Sequence, residues 1–402
     1  MRFFIPFSIT RSIKPFIRAA LSSAAVFALS TNAHANMQAF SVTGTQGTEL
    51  SATPLSQFNA AWAMAFLPDG RALVSEKTGA LWIINKDGSK AGKVSGMPEV
   101  KARGQGGMGD VIVHPDFAKN GVIFLSYVER DEKTGRLSGA VVERATLILG
   151  ATTGKLTKRK KIWAQRPKVT GNGHYGHRLV LSPEGYLFIS SGDRQKFTPS
   201  QNMSMSLGKS LRINQDGSAP SDNPFYIGDG SAADEIWTLG HRNPLGIAFD
   251  PDGRLWMQEM GPRHGDELNL IERSKNYGYP VVSEGDHYSG VKIPSHADIP
   301  IYQAPKVSWV PAISPGGLMF YTGDVFADWR GDAFIGGLSS AALIRVEFED
   351  PKPNSRKGIT AKEAERYEWE RRIREVEQGP NGAIYVLEDR EDGRLIKLMP
   401  KN

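Results

Sequence analysis

The sequence predicts an all-β fold, a six-bladed β-propeller, and three observations carry that prediction. First, a turn built on Pro, Asp or Gly returns six times: Leu67-Pro-Asp-Gly70, His114-Pro-Asp-Phe117, Ser182-Pro-Glu-Gly185, Asp250-Pro-Asp-Gly253, Asp328-Trp-Arg-Gly331 and Gly379-Pro-Asn-Gly382. Second, each turn feeds a short apolar burst of β type, such as "RALVSE", "YLFISSGD", "RLWMQE" and "AIYVLED". Third, the repeat averages roughly 60 residues, too little to bury its own apolar face, so units must stack against neighbours and close into a ring. Compact propeller repeats need only about 40–50 residues. The surplus goes into long loops, and long ordered loops are usually functional.

In chain order, the first 35 residues read as a cleaved signal peptide. Arg2, Arg11, Lys14 and Arg18 form a basic start, "AALSSAAVFALS" an apolar centre, and Ala33-His-Ala35 a small-x-small cleavage signal. The apolar centre is too short to span a bilayer as a permanent helix. The expected domain is then 36–402, a single propeller exported to a bacterial periplasm. The whole chain holds 49 Lys and Arg against 43 Asp and Glu, a formal charge of +6. Four of those bases lie in the leader, which leaves 45 against 43. A nucleic-acid partner loses its support, because phosphate neutralisation needs a basic face. The basic run Lys155–Lys161 reads as a solvated hairpin tip. The chain contains no cysteine, so stability must come from core burial.

"RALVSE" and "ALWIIN" read as a hairpin through Lys77-Thr-Gly79. In Ala361–Gln378 helix propensity is high. Its first half is expected to be a charged loop or short helix and its last part, "RRIREVE", a strand. Composition does not shift along the chain, and its 43 Gly and 24 Pro are spread throughout, which suits many turns rather than a linker.

Five segments set charged or polar residues among or beside glycines next to strands: Arg103–Gly107, Gly173–Arg178, Gly240–Pro244, Gly261–Glu267 and Arg372–Arg374. Glycine there lets backbone approach a ligand closely. The pair His174/His177 lacks the further ligands of a zinc site, so no transition metal is expected. Strand alternation puts Arg372 and Arg374 on one face with Ile373 turned inward. Two like charges side by side require an anion. With Arg242 they either grip a polyanionic ligand through bidentate guanidinium forks or form salt bridges between blades.

The order and wording of these loops resemble the soluble pyrroloquinoline quinone (PQQ) dependent sugar dehydrogenases, and among them the periplasmic aldose sugar dehydrogenase branch. The matching stretches are "RGQGGMGDVIVHPDF", "GHYGHRLVLSPEGYLFISSGD", "GHRNPLGIAFDPDGRLWMQEMGPRHGDELNLIERSKNYGYP", "ISPGGLMFY" and "RIREVEQGPNGAIYVLED". They run from about residue 60 to the C-terminus. The resemblance implies that His174 is the base taking the proton from the sugar C1 hydroxyl while hydride passes to the quinone. Asp193 would be the carboxylate that pairs with it. It further implies that Gln105, Arg242, Asn243, Arg372 and Arg374 hold the cofactor's carboxylates and quinone edge, with Tyr288 beside it. The backbone carbonyls of Gly261 and Pro262 would hold a Ca²⁺ against the cofactor, oxygen ligation suiting that hard cation. Glu267 and the Tyr277 carbonyl resemble a second, structural calcium site. The glucose dehydrogenase branch carries a lysine near the quinone where Ser339 or Ser340 stands here, and an acidic residue where Gly173 stands. A serine hydroxyl donates a hydrogen bond to a quinone oxygen but brings no charge.

The implied reaction is oxidation of an aldose at C1 to its lactone. The chain shows neither a dinucleotide fingerprint nor a haem attachment motif, so electrons are expected to leave to an external quinone or cytochrome. Two alternatives keep the propeller: a calcium-dependent lactonase or esterase, with His174 and Asp193 activating water, and a non-catalytic carbohydrate-binding propeller.

Overall fold

The computed structural model describes residues 37–350 and 358–401. The expected signal peptide lies outside the described residues.

The strands form five sheets. After β1 (Phe40–Thr43) and β2 (Glu49–Phe58), the chain makes one four-strand meander of β3 (Ala61–Phe66), β4 (Ala72–Glu76), β5 (Leu81–Ile84) and β6 (Lys90–Ser95). The next meander is β7 (Met108–Val113), β8 (Val122–Arg130), β9 (Ser138–Leu149) and β10 (Gly154–Ala164). A short parallel pairing of β10 with β6 fuses these two meanders into one eight-stranded sheet. Three separate four-stranded sheets follow. They are β11 (Gly176–Leu181) to β14 (Ile236–Leu239), with β12 (Leu187–Ser191) and β13 (Lys209–Ile213) between; β15 (Pro244–Phe249), β16 (Leu255–Glu259), β17 (Asp266–Leu270) and β18 (Val307–Trp309); and β19 (Pro315–Phe320), β20 (Ala333–Gly337), β21 (Ala342–Glu349) and β22 (Thr360–Glu368). The last sheet joins both ends of the described chain. β23 (Ile373–Gln378), β24 (Ile384–Glu388) and β25 (Gly393–Pro400) are completed by β2 and β1, with Leu50 opposite Pro400.

The six recurrent turns have one structural job: each joins the first strand of a meander to its second. In four of them the glycine N–H closes the turn onto the first residue's carbonyl, from Gly70 to Leu67 at 2.9 Å through Gly382 to Gly379 at 2.9 Å. These glycines sit at positive φ, +85° at Gly70 and +76° at Gly382, which a side chain would strain. The second turn has Phe117 instead. It runs into a single helical turn, Phe117–Asn120, that ends on Gly121 at φ +63°.

First strands touch one another in sequence, β3 to β7 to β11 to β15 to β19 to β23, and β23 returns to β3. Second strands such as β4, β12, β16 and β24 are buried along their whole length. That is why they read as continuous apolar runs rather than alternating ones: both of their faces are covered. The core is correspondingly divided. One cluster packs Val122 and Phe124 against Leu179, Leu187 and Ile189, another Trp256 and Leu268 against Leu318 and Ile335, each between neighbouring sheets.

Two expectations are corrected. Residues 360–368 are strand β22, paired antiparallel to β21 from Thr360↔Glu349 to Glu368↔Ala342, so tertiary pairing overrides their helix propensity. The basic run at Lys155–Lys161 lies along β10, not at a hairpin tip. It is solvated, and Arg159 and Lys161 pair with Glu143 and Glu129 across the sheet.

Candidate active site

His174 and Asp193 face each other because a β-ladder places them so. Gly176 on β11 pairs with Ser191 on β12, and each functional residue lies two positions beyond its partner of that pair. His174 Nδ1 and Asp193 Oδ1 are 2.6 Å apart. Backbone N–H groups of Gln195 (2.9 Å) and Phe197 (3.1 Å) donate to the same carboxylate, and Asp193's own N–H donates to the Arg242 carbonyl. Gly192 is required between them: a Cβ there would come within 2.2 Å of the His174 carbonyl oxygen. His174 itself sits at φ +48°, its N–H donating to Gln105 Oε1 at 2.6 Å. A carboxylate acceptor at Nδ1 selects the tautomer with the proton there, which leaves the Nε2 lone pair free. Nε2 bonds to no described residue. Burial holds the imidazole below its usual pKa; the Asp193 bond opposes this and the Arg242 charge adds to it.

Beside this pair opens a cavity of about 180 Å³, lined by Gln105, Asn243, Arg372, Arg374, Asp389 and Lys77, with Trp62, Tyr175 and Leu338 among its apolar walls. Arg372 and Arg374 share Asp389 Oδ2, each at 2.9 Å. The protein thus supplies part of the anion that two adjacent guanidiniums require. One carboxylate still faces three cations. Three of the buried polar atoms that lack a partner among the described residues belong to this site: Arg242 Nε, Asn243 Oδ1 and Arg374 Nε. Unpaired buried donors and acceptors cost free energy, and their clustering at one site marks where a polar ligand would bind. Arg242 Nη1 donates to the carbonyls of Met260 (3.0 Å) and Gly261, and its N–H to Glu259 Oε2.

Behind Arg242 lies a patch of opposite sign. Glu259 accepts from His241 Nδ1 at 2.8 Å, Glu267 from Asn269 at 3.2 Å, and Glu284 pairs with His296 at 2.9 Å. Burial and the neighbouring Glu259 carboxylate push Glu267 far above the usual carboxylate range. The Tyr277 carbonyl lies 3.1 Å from His296 Nε2. Gly261 N–H donates to Asp266, whose other oxygen takes the N–H groups of Ile313 and Ser314. Among the described residues no group of three or more His, Cys, Asp or Glu side chains is arranged to hold a metal ion. Oxygen ligands at Gly261, Pro262, Glu267 and Tyr277 would have to include backbone carbonyls.

The structure therefore gathers Gln105, His174, Asp193, Arg242, Asn243, Arg372 and Arg374 at one place. Ser339 is only adjacent: its hydroxyl donates to the Ala312 carbonyl at 3.3 Å, and its neighbour Leu338 lines the cavity instead. Tyr288 is 74 % exposed, its ring 5.9 Å from the Arg242 guanidinium. Sequence reasoning missed Asp389, Lys77, Glu259 and Arg194. The β23–β24 hairpin, pairing Ile373 with Glu388, was the signal for Asp389. Arg194 stacks on Tyr175 and spends its guanidinium on the carbonyls of Gly173, Ser138 and Gly171, bracing the loop that carries His174. Phe197, also missed, holds φ +63° with its ring 46 % exposed beside Tyr279 and His287.

Comparison with known proteins gives the chain's relatives. The family described as Glucose / Sorbosone dehydrogenase matches residues 58–397. The aldose sugar dehydrogenase YliI of Escherichia coli (strain K12) is 37 % identical over 349 residues, covering 85 % of this chain and 90 % of that protein. Quinoprotein glucose dehydrogenase B of Acinetobacter calcoaceticus is 29 % identical over 74 % of this chain and 66 % of its own length. The crystal structure of the soluble aldose sugar dehydrogenase from Escherichia coli in its apo-form superposes with a TM-score of 0.78 at 35 % identity, covering 88 % of this chain and all of that one.

Proposed function

Because the chain belongs to the glucose/sorbosone dehydrogenase family, we propose that it is a PQQ- and calcium-dependent dehydrogenase that oxidises aldoses at C1 to lactones. The observation that carries this reading is the buried His174–Asp193 pair, with a free Nε2, set beside a cation-rich cavity whose arginine and asparagine atoms lack partners.

The residues present fit the cofactor. Gln105, Asn243, Arg372 and Arg374 line the cavity, Arg242 precedes Asn243 in the chain, and a tricarboxylate would supply both the missing negative charge and the missing hydrogen-bond partners. Calcium fits the oxygen-rich patch behind them. There the buried Glu267 and Glu259 face each other without a lysine or arginine, a repulsion that a hard divalent cation would relieve, with Tyr277 offering its carbonyl. The carbonyls of Gly261 and Pro262 would hold the ion nearest the cofactor. When bound, PQQ supplies a two-electron hydride acceptor and calcium a Lewis acid.

The protein's own part is proton transfer and positioning. His174 Nε2 accepts the C1 hydroxyl proton as the C1 hydrogen leaves with its electron pair. Asp193 fixes the tautomer and stabilises the imidazolium that results. Gln105 pins the His174 backbone. Tyr288 is exposed with its ring near the Arg242 guanidinium, and Ser339, next in sequence to the cavity-lining Leu338, offers at most a neutral hydrogen bond. We read the sheets as the blades of one six-bladed propeller spanning 36–402, exported by the 1–35 leader, with electrons passing to an external quinone or cytochrome. No helix among the described residues is long and apolar enough to cross a membrane.

The test is reconstitution. Cofactor-free protein with calcium is titrated with PQQ and assayed for dye-linked oxidation of a panel of aldoses. Saturable, calcium-dependent oxidation is expected, and failure to bind PQQ overturns the proposal.

A further inference from the structure

We infer that Lys77 is a cofactor-binding residue whose ammonium holds an anionic oxygen of PQQ inside the cavity. The inference rests on the proposed function above.

Lys77 follows β4 directly, at the start of the Lys-Thr-Gly turn. Its backbone is clamped from both sides: its N–H donates to the Ala60 carbonyl at 3.0 Å, and its carbonyl accepts from Met108 N–H at 2.9 Å. The 103–107 loop packs so tightly here that a Cβ on Gly107 would lie 2.2 Å from the Lys77 carbonyl oxygen. The side chain is therefore launched into the cavity from a rigid base.

Its ammonium carries three N–H donors. Among the described residues only one is used, on the Gly104 carbonyl at 2.5 Å. Lys209 shows what a lysine of purely internal role looks like in this molecule. Fully buried, it spends its donors on the carbonyls of Pro199, Ser200 and Leu207. Lys77 keeps two donors unspent in a cavity wall.

Nor has Lys77 an ion-pair partner among the described residues. The carboxylate in the same cavity, Asp389, is shared by Arg372 and Arg374. Burial and the nearby Arg374 charge disfavour its ammonium form, and the Asp389 carboxylate across the cavity only partly offsets them. A flexible cation held in such a place, half-buried among other cations, gains when an anion arrives to answer the surplus positive charge. The competing role is that of a strut, its one hydrogen bond holding the loop that presents Gln105 to His174.

The test separates these. Calcium-loaded, PQQ-free protein is titrated with PQQ at several salt concentrations, binding being read from fluorescence, for which Trp62 in the cavity wall is a local reporter. Lys77→Met is expected to weaken PQQ about tenfold or more and to flatten the dependence of affinity on ionic strength. Lys77→Arg, which keeps the charge, is expected to remain within a few-fold of the natural protein. Melting temperatures of the PQQ-free variants should match. Equal affinity and equal salt dependence in Lys77→Met overturn the inference and leave the proposed function standing. Weakened binding with unchanged salt dependence and a lowered melting temperature identifies the strut and overturns it too. Failure of the natural protein to bind PQQ overturns the proposed function itself.

Discussion

Two cavities lie at opposite ends of the same inner strands, and their charges are reversed. On β23 and the residue before it, Arg372 and Arg374 line one cavity and Glu375 and Glu377 the other; on β11, Gly176 and His177 line the first and Arg178 and Leu179 the second. The first, about 180 Å³, holds Lys77, Arg372 and Arg374 against Asp389. The second, about 240 Å³, holds Asp110, Glu375 and Glu377 against Arg178. Arg178 donates to Glu375 and lies 3.5 Å from Asp110. Burial pushes Glu375 up to about 7 and Glu377 well above its usual range, with the Glu375 charge adding to the latter. The difference teaches how each sign of surplus charge is settled. Burial raises the proton affinity of carboxylates, so a surplus of negative charge has two remedies, a proton or a cation. Guanidiniums cannot lose their proton in a protein, so the basic end stays charged until an anion comes.

Four measurements would break or sharpen that contrast. The largest effect is expected at the base: His174→Ala should lower kcat by about 10²–10⁴-fold, with PQQ affinity little changed. Normal turnover would remove His174 from the mechanism. At the basic end, Arg374→Met should weaken PQQ by roughly 10- to 100-fold, the value of one charged hydrogen bond, measured by equilibrium titration. Unchanged affinity would mean that the surplus charge has no ligand.

A pH profile comes third. His174 must be neutral to act, and burial holds its pKa below 6.5. The acid limb of kcat/KM should therefore fall below pH 6.5. Asp193 raises that pKa, so Asp193→Asn should move the limb lower still while costing about tenfold or more in kcat. A limb that moves upward would contradict the assignment.

The smallest effect is at the acidic end. Glu375 has a folded pKa of about 7, above its ordinary 4.5, so the folded state holds the proton more tightly. That contribution is complete below pH 4.5 and lost as pH rises through 7, on the order of 1–3 kcal/mol. Glu375→Gln should flatten the decline of melting temperature across this window. An identical slope would show that Glu375 is ionised throughout.

Much of this architecture could be read from residue order. The recurrent Pro, Asp and Gly turns located the link between first and second strands, because a two-strand turn depends on local φ and hydrogen bonding alone. The His174–Asp193 pair was legible through a family resemblance rather than through spacing, since nineteen residues say nothing of a 2.6 Å contact until β11 and β12 pair. Residues 360–368 were misread because helix propensity is a local quantity, and their state was decided by pairing with β21. Lys155–Lys161 was misread for the same reason, since a strand facing solvent and a loop carry the same charges.

What the sequence determined by itself was the all-β class, the turn positions and the residue types available for chemistry, all of which follow from short-range sterics and composition. What only the tertiary structure decided was which charges share a cavity. Asp389 answers Arg372 and Arg374 because a hairpin folds it back beside them. Lys77 faces the same space from the neighbouring meander, which contacts β23 although it lies almost 300 residues earlier in the chain. Electrostatic balance depends on distance through space, and that distance exists only once the ring has closed.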